Sequence, residues 1–327
     1  MVGRITISPC MKCCETAINN GYIPDSIMYE MLTPDDGVVA FQCENGHKNA
    51  IIIQEQSFEI LLEIAIENII DKYYREAIFN FAAAQERCFS FFSELILFEK
   101  GVDDTIYENL WKRVYKNYSE RQLGAFYFLY LMRFGKKIDY DDNVTRIRND
   151  IIHKGKIATK ENVFKYGEYV LNNIYTIIES ITENISPDMI LNFKLQKIEK
   201  NISKANMQKD INISSAGASI ISWSCATDEE YQQEQKLAQY SKLHRKEYAQ
   251  KAAEANSYGN KKLYINEKNE LVIIDALDIN MKKEGAHYRG RRSLEELIKQ
   301  VKKIREHYNI TRSGLVEKSS IISCLDE

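Results

Sequence analysis

Little in this chain interrupts it. Among 327 residues there are only 4 prolines and 14 glycines, so long unbroken helices are expected. No run of about 18 apolar residues occurs, which argues against a membrane-spanning helix. The first residues, Met1-Val2-Gly3-Arg4-Ile5-Thr6, lack the apolar stretch of a secretion signal, so a cytoplasmic protein is expected. There is no surplus of positive charge either. A net charge of -3 excludes a protein that coats nucleic acid through bulk charge, and any such contact must be a local patch. No segment repeats at a fixed period, which argues against a solenoid. Cysteine is present in an odd number, 7, with a cluster near the N-terminus. Without an export signal this favours metal binding or free thiols over a disulfide framework.

What is present divides into three parts. Residues 1–55 hold four of the cysteines and three of the prolines. Residues 56–205 are strongly helical in pattern. From residue 206 the character changes, and Ile213-Ser214-Ser215-Ala216-Gly217-Ala218-Ser219 is small and polar, as in a linker or loop.

In the first part, Cys10 and Cys13 form a CxxC pair, and Cys43-Glu44-Asn45-Gly46-His47 follows some thirty residues later. Two such knuckles place four soft or borderline ligands around a tetrahedral zinc ion. Gly46 sits where a tight turn must bring His47 back toward the metal. Residues 37–42 read as a short strand feeding the second knuckle. Cys14 is adjacent and either substitutes for a ligand or is spare. Four candidate ligands leave no open coordination position, so the ion expected is structural and not catalytic. It would supplement the small hydrophobic core that about 50 residues can build.

The second part reads as a helical bundle. One helix covers Phe58–Ile66. A longer one runs to Leu97, with Ile78, Phe81, Ala82, Gln85, Phe89 and Phe92 recurring at three- and four-residue steps. Others cover Glu120–Phe134, Asp141–His153 and Lys160–Glu183. At about 100° per residue, Val144, Ile147 and Ile151 share an apolar face. Asn149 and His153 share a polar face with Asp150 beside them. Arg148 lies five residues before His153 and therefore well around a regular helix from it. Two arrangements bring them together. The helix ends at His153, with Gly155 as its stop, and the ring swings round. Or two copies face each other and each supplies one member of the pair. The angle favours the second, a symmetric homodimer.

Residue type indicates what such a pair does. Free histidine titrates near pH ~6.5, so an imidazole can take a proton from a ribose 2′-hydroxyl or give one to the leaving 5′-oxygen. The planar fork of Arg148 can hold nonbridging phosphate oxygens as charge builds. Asn149 orients the ring or the phosphate. Lys154 and Lys156 add positive potential for an RNA backbone, and Asp150 falls within the same substrate-facing group. No catalytic metal is called for, because the attacking oxygen belongs to the RNA. The plain alternative is a surface arginine and a histidine that caps a helix C-terminus.

The segment Arg148-Asn149-Asp150-Ile151-Ile152-His153-Lys154-Gly155, late in a helical bundle and before another long helix, resembles the RX4-6H motif of the HEPN superfamily. Tyr74-Arg75-Glu76-Ala77-Ile78 and Ala84-Gln85-Glu86-Arg87 resemble the opening helices of its domains. The resemblance covers roughly residues 56–205 and neither flank. It implies an all-helical, usually dimeric bundle. It also implies a metal-independent endoribonuclease with Arg148 and His153 as the catalytic pair and Asn149 in support. Many such proteins act as toxins or effectors in bacterial antiphage defence, and others are non-catalytic interaction modules. The whole is then a mainly α protein: a HEPN-like bundle, a small N-terminal zinc-ribbon-like module and an α+β C-terminal extension. RNA is the expected substrate, with a regulatory partner protein as a further expectation.

In the last part, Thr227-Asp228-Glu229-Glu230 reads as a capping box opening a polar helix to Ala255. Leu263–Ile265 and Leu271–Ile274 flank a polar turn as in a hairpin. Ser293-Leu294-Glu295-Glu296 opens a final helix. Arg289, Arg291 and Arg292 before it are either an RNA-backbone patch or a solvated helix start.

Overall fold

The structure, a computed structural model, describes residues 5–10, 12–13, 16, 28–32, 37–115, 119–138, 141–205, 211–216, 233, 236–237, 239–241, 243–257, 261–275 and 291–307. Cys14 and the capping box at 227–230 lie outside them.

Among the described residues the protein is mainly helical, with three small sheets. Strand β1 (Ile5–Pro9) pairs antiparallel with β2 (Met28–Leu32). Strand β3 (Val38–Gln42) turns back into β4 (Lys48–Ile53). Seven helices follow: α1 (Ser57–Ile70), α2 (Tyr74–Glu99), α3 (Asp104–Tyr115), α4 (Ser119–Phe134), α5 (Asp142–Ile152), α6 (Lys160–Asn184) and α7 (Pro187–Ala205). Then come β5 (Ile211–Ala216), α8 (Arg245–Ser257), the hairpin β6 (Lys261–Ile265) and β7 (Leu271–Asp275), and α9 (Leu294–His307). No helix among the described residues is long and apolar enough to cross a membrane.

The helical core follows from the spacing of its apolar side chains. Phe81, Phe89 and Phe92 of α2 are buried together with Phe126 and Tyr130 of α4. Phe89 and Phe126 stack with centroids 4.2 Å apart, and Phe126 meets Phe92 edge-on at 5.3 Å. The one polar tip this cluster buries finds a partner: the Tyr130 hydroxyl lies 2.6 Å from Ser180 Oγ on α6. Arg133 locks three helices at one end, donating two 2.8 Å bonds to Glu99 and one of 2.7 Å to the Asn184 carbonyl.

Two segments from beyond residue 206 complete elements of earlier parts. Residues 213–216 of the stretch read as a linker or loop belong instead to strand β5 over residues 211–216, and 217–219 lie outside the described residues. It pairs parallel with β4, Ala50 opposite Ile213 and Ile52 opposite Ser215. The whole helical bundle separates these two strands in the chain. Their sheet is apolar on both faces. Val38, Ala50 and Ile52 pack with Ile198, Ile202 and Ala205 of α7, while Val39, Ile51 and Ile53 pack with Ile60 of α1. A strand covered on both sides carries a continuous apolar run, as Ala50–Ile53 does. Likewise α9 is part of the bundle, since Leu294, Leu297 and Val301 are buried in the main core. It comes so close that a Cβ on Gly167 of α6 would lie 2.8 Å from the Phe81 ring and 2.9 Å from Leu294. The hairpin of β6 and β7 forms where expected. Its turn is held by Asn266 Oδ1, which accepts from the Lys268 and Glu270 amides, and Asn269 takes φ +60°.

Candidate active site and candidate metal centre

Helix α5 is built to stop at His153. Asp141 caps its start, accepting from the Asn143 and Val144 amides at 2.8 and 3.3 Å. Val144 and Ile151 are buried against the core and Ile147 packs beside them, which fixes the helix's rotation. The last helical bond runs from the His153 amide to the Asn149 carbonyl. Beyond it Gly155 takes φ +71°, a conformation that disfavours any Cβ, and the Lys156 amide turns back to the Asp150 carbonyl at 3.1 Å.

At this end of the helix the His153 ring reaches Arg148. Arg148 Nη1 lies 3.1 Å from His153 Nε2 and 2.9 Å from Asn149 Oδ1. The three proposed catalytic residues therefore meet within one chain. This is the helix-end arrangement, and it removes the angular reason for a second copy. The expected homodimer receives no support from the geometry of the pair. A guanidinium carries only donors, so Nε2 can only be the acceptor in this contact.

The expected lysine patch is partly self-neutralised. Lys154 and Lys156 are exposed, yet both reach Asp150, at 2.8 Å on Oδ1 and 2.5 Å on Oδ2. Their hydrogen bonds and charges hold the Asp150 carboxyl down at about 2. Asp150 thus clamps the two lysines of the turn. The three side chains together carry a single net positive charge.

One residue was not legible in the sequence as a member of this corner. Glu86 on α2 places Oε1 3.7 Å from Arg148 Nη2. Burial raises its pKa, and the charges of Arg148 and Arg87 pull it back down. Its sequence signal was its place in Ala84-Gln85-Glu86-Arg87, a segment of the family resemblance that assigned it no role.

The second corner lies where β3 turns into β4. Cys43 and His47 flank the turn. The Gly46 amide donates to the Cys43 carbonyl at 2.8 Å, and the Cys43 amide to the His47 carbonyl at 3.0 Å. Gly46 takes φ +79°, as the tight turn requires. Cys10 follows β1 directly, with Cys13 beyond it, and brings the other pair. His47 Nδ1 lies 3.7, 3.3 and 3.5 Å from the sulfurs of Cys10, Cys13 and Cys43, and Cys13 and Cys43 are 3.7 Å apart. All four donor atoms fall within 4.8 Å of one another. Zn–S and Zn–N bonds of about 2.3 and 2.0 Å in a tetrahedron put neighbouring donors about 3.5–3.8 Å apart. The four residues could therefore hold a metal ion, and the spacings suit structural zinc. Outer partners are also in place. Asn45 Nδ2 donates to Cys13 Sγ at 3.3 Å, and the buried Asn49 Nδ2 donates to the His47 carbonyl at 2.9 Å.

The basic cluster before the last helix is structural. Arg291 donates to Glu179 and Thr176 of α6, and Arg292 to Gln300. The Arg291 bonds fasten the start of α9 to the bundle, and the Arg292 bond lies within the α9 segment; Arg289 lies outside the described residues. No family of known proteins, no characterised protein and no solved structure matches this chain.

Proposed function

We propose that this protein is a metal-independent endoribonuclease of the HEPN type, with Arg148, Asn149 and His153 as its catalytic group. The observation that carries this is the meeting of Arg148 Nη1 with both His153 Nε2 and Asn149 Oδ1 at the end of α5. A phosphate-gripping cation and a proton-transferring ring at one exposed helix end are the two functions that transesterification of RNA needs. His153 takes the 2′-hydroxyl proton, and the 2′-oxygen attacks phosphorus. Arg148 neutralises the charge that builds on the nonbridging oxygens. The bond to the 5′-oxygen breaks, that oxygen takes a proton from water as it leaves, and the imidazolium returns its proton to the resulting hydroxide. The products are a 2′,3′-cyclic phosphate and a 5′-hydroxyl. Lys154 and Lys156 supply the remaining positive potential toward the strand. Cys10, Cys13, Cys43 and His47 hold a structural zinc ion that ties the N-terminal segment to the β3–β4 turn. A role as a toxin or effector in antiphage defence follows from the resemblance of the motif.

Purified protein in EDTA is expected to cut a single-stranded oligoribonucleotide and to spare the same sequence in DNA. Arg148→Ala and His153→Ala should each abolish cutting, and His153→Ala should relieve toxicity on expression. Wild-type protein that binds RNA without cutting it would identify an interaction module instead. Cutting that survives both substitutions would place the reaction elsewhere.

A further inference from the structure

An imidazole acts as a base through the lone pair of its unprotonated nitrogen. Here that lone pair faces Arg148 Nη1 at 3.1 Å. A substrate hydroxyl cannot use His153 until the guanidinium turns away. Arg148 therefore needs two stations: His153 and Asn149 in the resting site, and the phosphate during the reaction. A freely swinging arginine would lose its aim between them, and errors near 1 Å cost about 100-fold in rate.

Glu86 stands at the pivot. It belongs to α2, across a helix interface from α5, and it approaches Nη2 while Nη1 carries both bonds of the resting state. Resting on the nuclease reading above, we propose that Glu86 is a positioning residue. It holds the rear edge of the Arg148 guanidinium so that the front edge passes from His153 to the scissile phosphate. Stability alone is a poor reason for the acid to be there. Its side chain is 31% exposed, and burial disfavours its charged form. Partly buried ion pairs of this kind commonly contribute nothing net to folding.

The test compares steady-state cleavage of a fluorescent oligoribonucleotide and thermal melting in wild type, Glu86→Gln and Glu86→Asp. In Glu86→Gln, kcat should fall about 10- to 100-fold. KM should fall too, because Arg148 loses its compensating carboxylate and grips the ground-state phosphate more tightly. Tm should hold or rise, since a neutral amide is easier to bury. Glu86→Asp, which keeps the charge on a shorter stem, should retain more of kcat than Glu86→Gln. Wild-type kcat and KM in Glu86→Gln would overturn the proposal. So would a loss of kcat with KM unmoved and Tm lowered, which is a packing defect. Wild-type protein that leaves RNA intact would overturn the nuclease reading itself, and the pivot with it.

Discussion

The Cys10–His47 corner and the Arg148–His153 corner are both made of a few polar side chains at a chain reversal. In each, a glycine with positive φ makes the reversal possible: Gly46 in one, Gly155 in the other. They differ in what surrounds them. The first is enclosed: Cys10 and Cys43 are buried, and the four donor atoms point at one another. Four donors could hold one ion, and a tetrahedron so filled has no open position for chemistry. The second is open: His153 and both lysines are exposed, and its donors are paired with neighbouring side chains rather than with one enclosed centre. Closure suits a structural element, and openness suits a site that must admit a phosphate.

The sharpest way to break this comparison is to remove one member of the open corner. Loss of His153 or Arg148 should reduce cleavage at least about 100-fold, with melting temperature and bound metal unchanged. A falling metal content in those variants would show that the two corners are not separate. The reverse experiment is the next largest. Cys43→Ser, or removal of the ion, should lower thermal stability by several degrees, read by circular dichroism. The losses should concentrate in the β3–β4–β5 sheet, which amide exchange would locate. Unchanged stability on complete metal removal would mean the enclosed corner is a thiol cluster without a structural ion.

Two smaller effects lie within the open corner. Gly155→Ala meets no neighbour, so its cost is that of the backbone alone, about 1 kcal/mol in a denaturant melt. It should also lower cleavage several-fold, because the same turn sets the direction of His153. Asp150→Asn should be milder still. The Asp150 carboxyl is held at about 2, below the unfolded value of about 3.9, so its contribution is complete above about pH 4 and is lost as pH falls through about 2. The melting curves of wild type and Asp150→Asn should therefore show a small gap at neutral pH that closes toward pH 2. A gap that persists in acid would mean that the carboxylate's charge is not what clamps Lys154 and Lys156.

The local features of both corners were legible because they depend on near neighbours. Helix α5 was read as Asp141–His153, and those two residues prove to be its caps. The CxxC pair and the Cys43–His47 knuckle did converge. The angular estimate failed for Arg148 and His153 because it counted Cα–Cβ directions and not side-chain reach. His153 keeps αR dihedrals and a helical amide bond, and the two side chains still meet within one chain. Strand β5 was missed for another reason. Ser214, Ser215 and Ala216 have weak strand preference, and their pairing is decided by β4, far away in the chain. The same holds for α9, whose start was plain in Ser293 and Glu296 but whose seat against Gly167 and Phe81 was not.

By itself the sequence determined the ends of α4, α5 and α6 to within a residue or so, which residue types are gathered at two reversals, and what chemistry those types can perform. These follow from capping, periodicity and side-chain functional groups, all of which act over a few residues. Only the tertiary structure decided that a strand after residue 210 completes the N-terminal sheet, that Asp150 partly neutralises the lysines beside it, and that Glu86 lies against Arg148. Such pairings are settled by packing and charge between segments distant in the chain, and no local pattern encodes them.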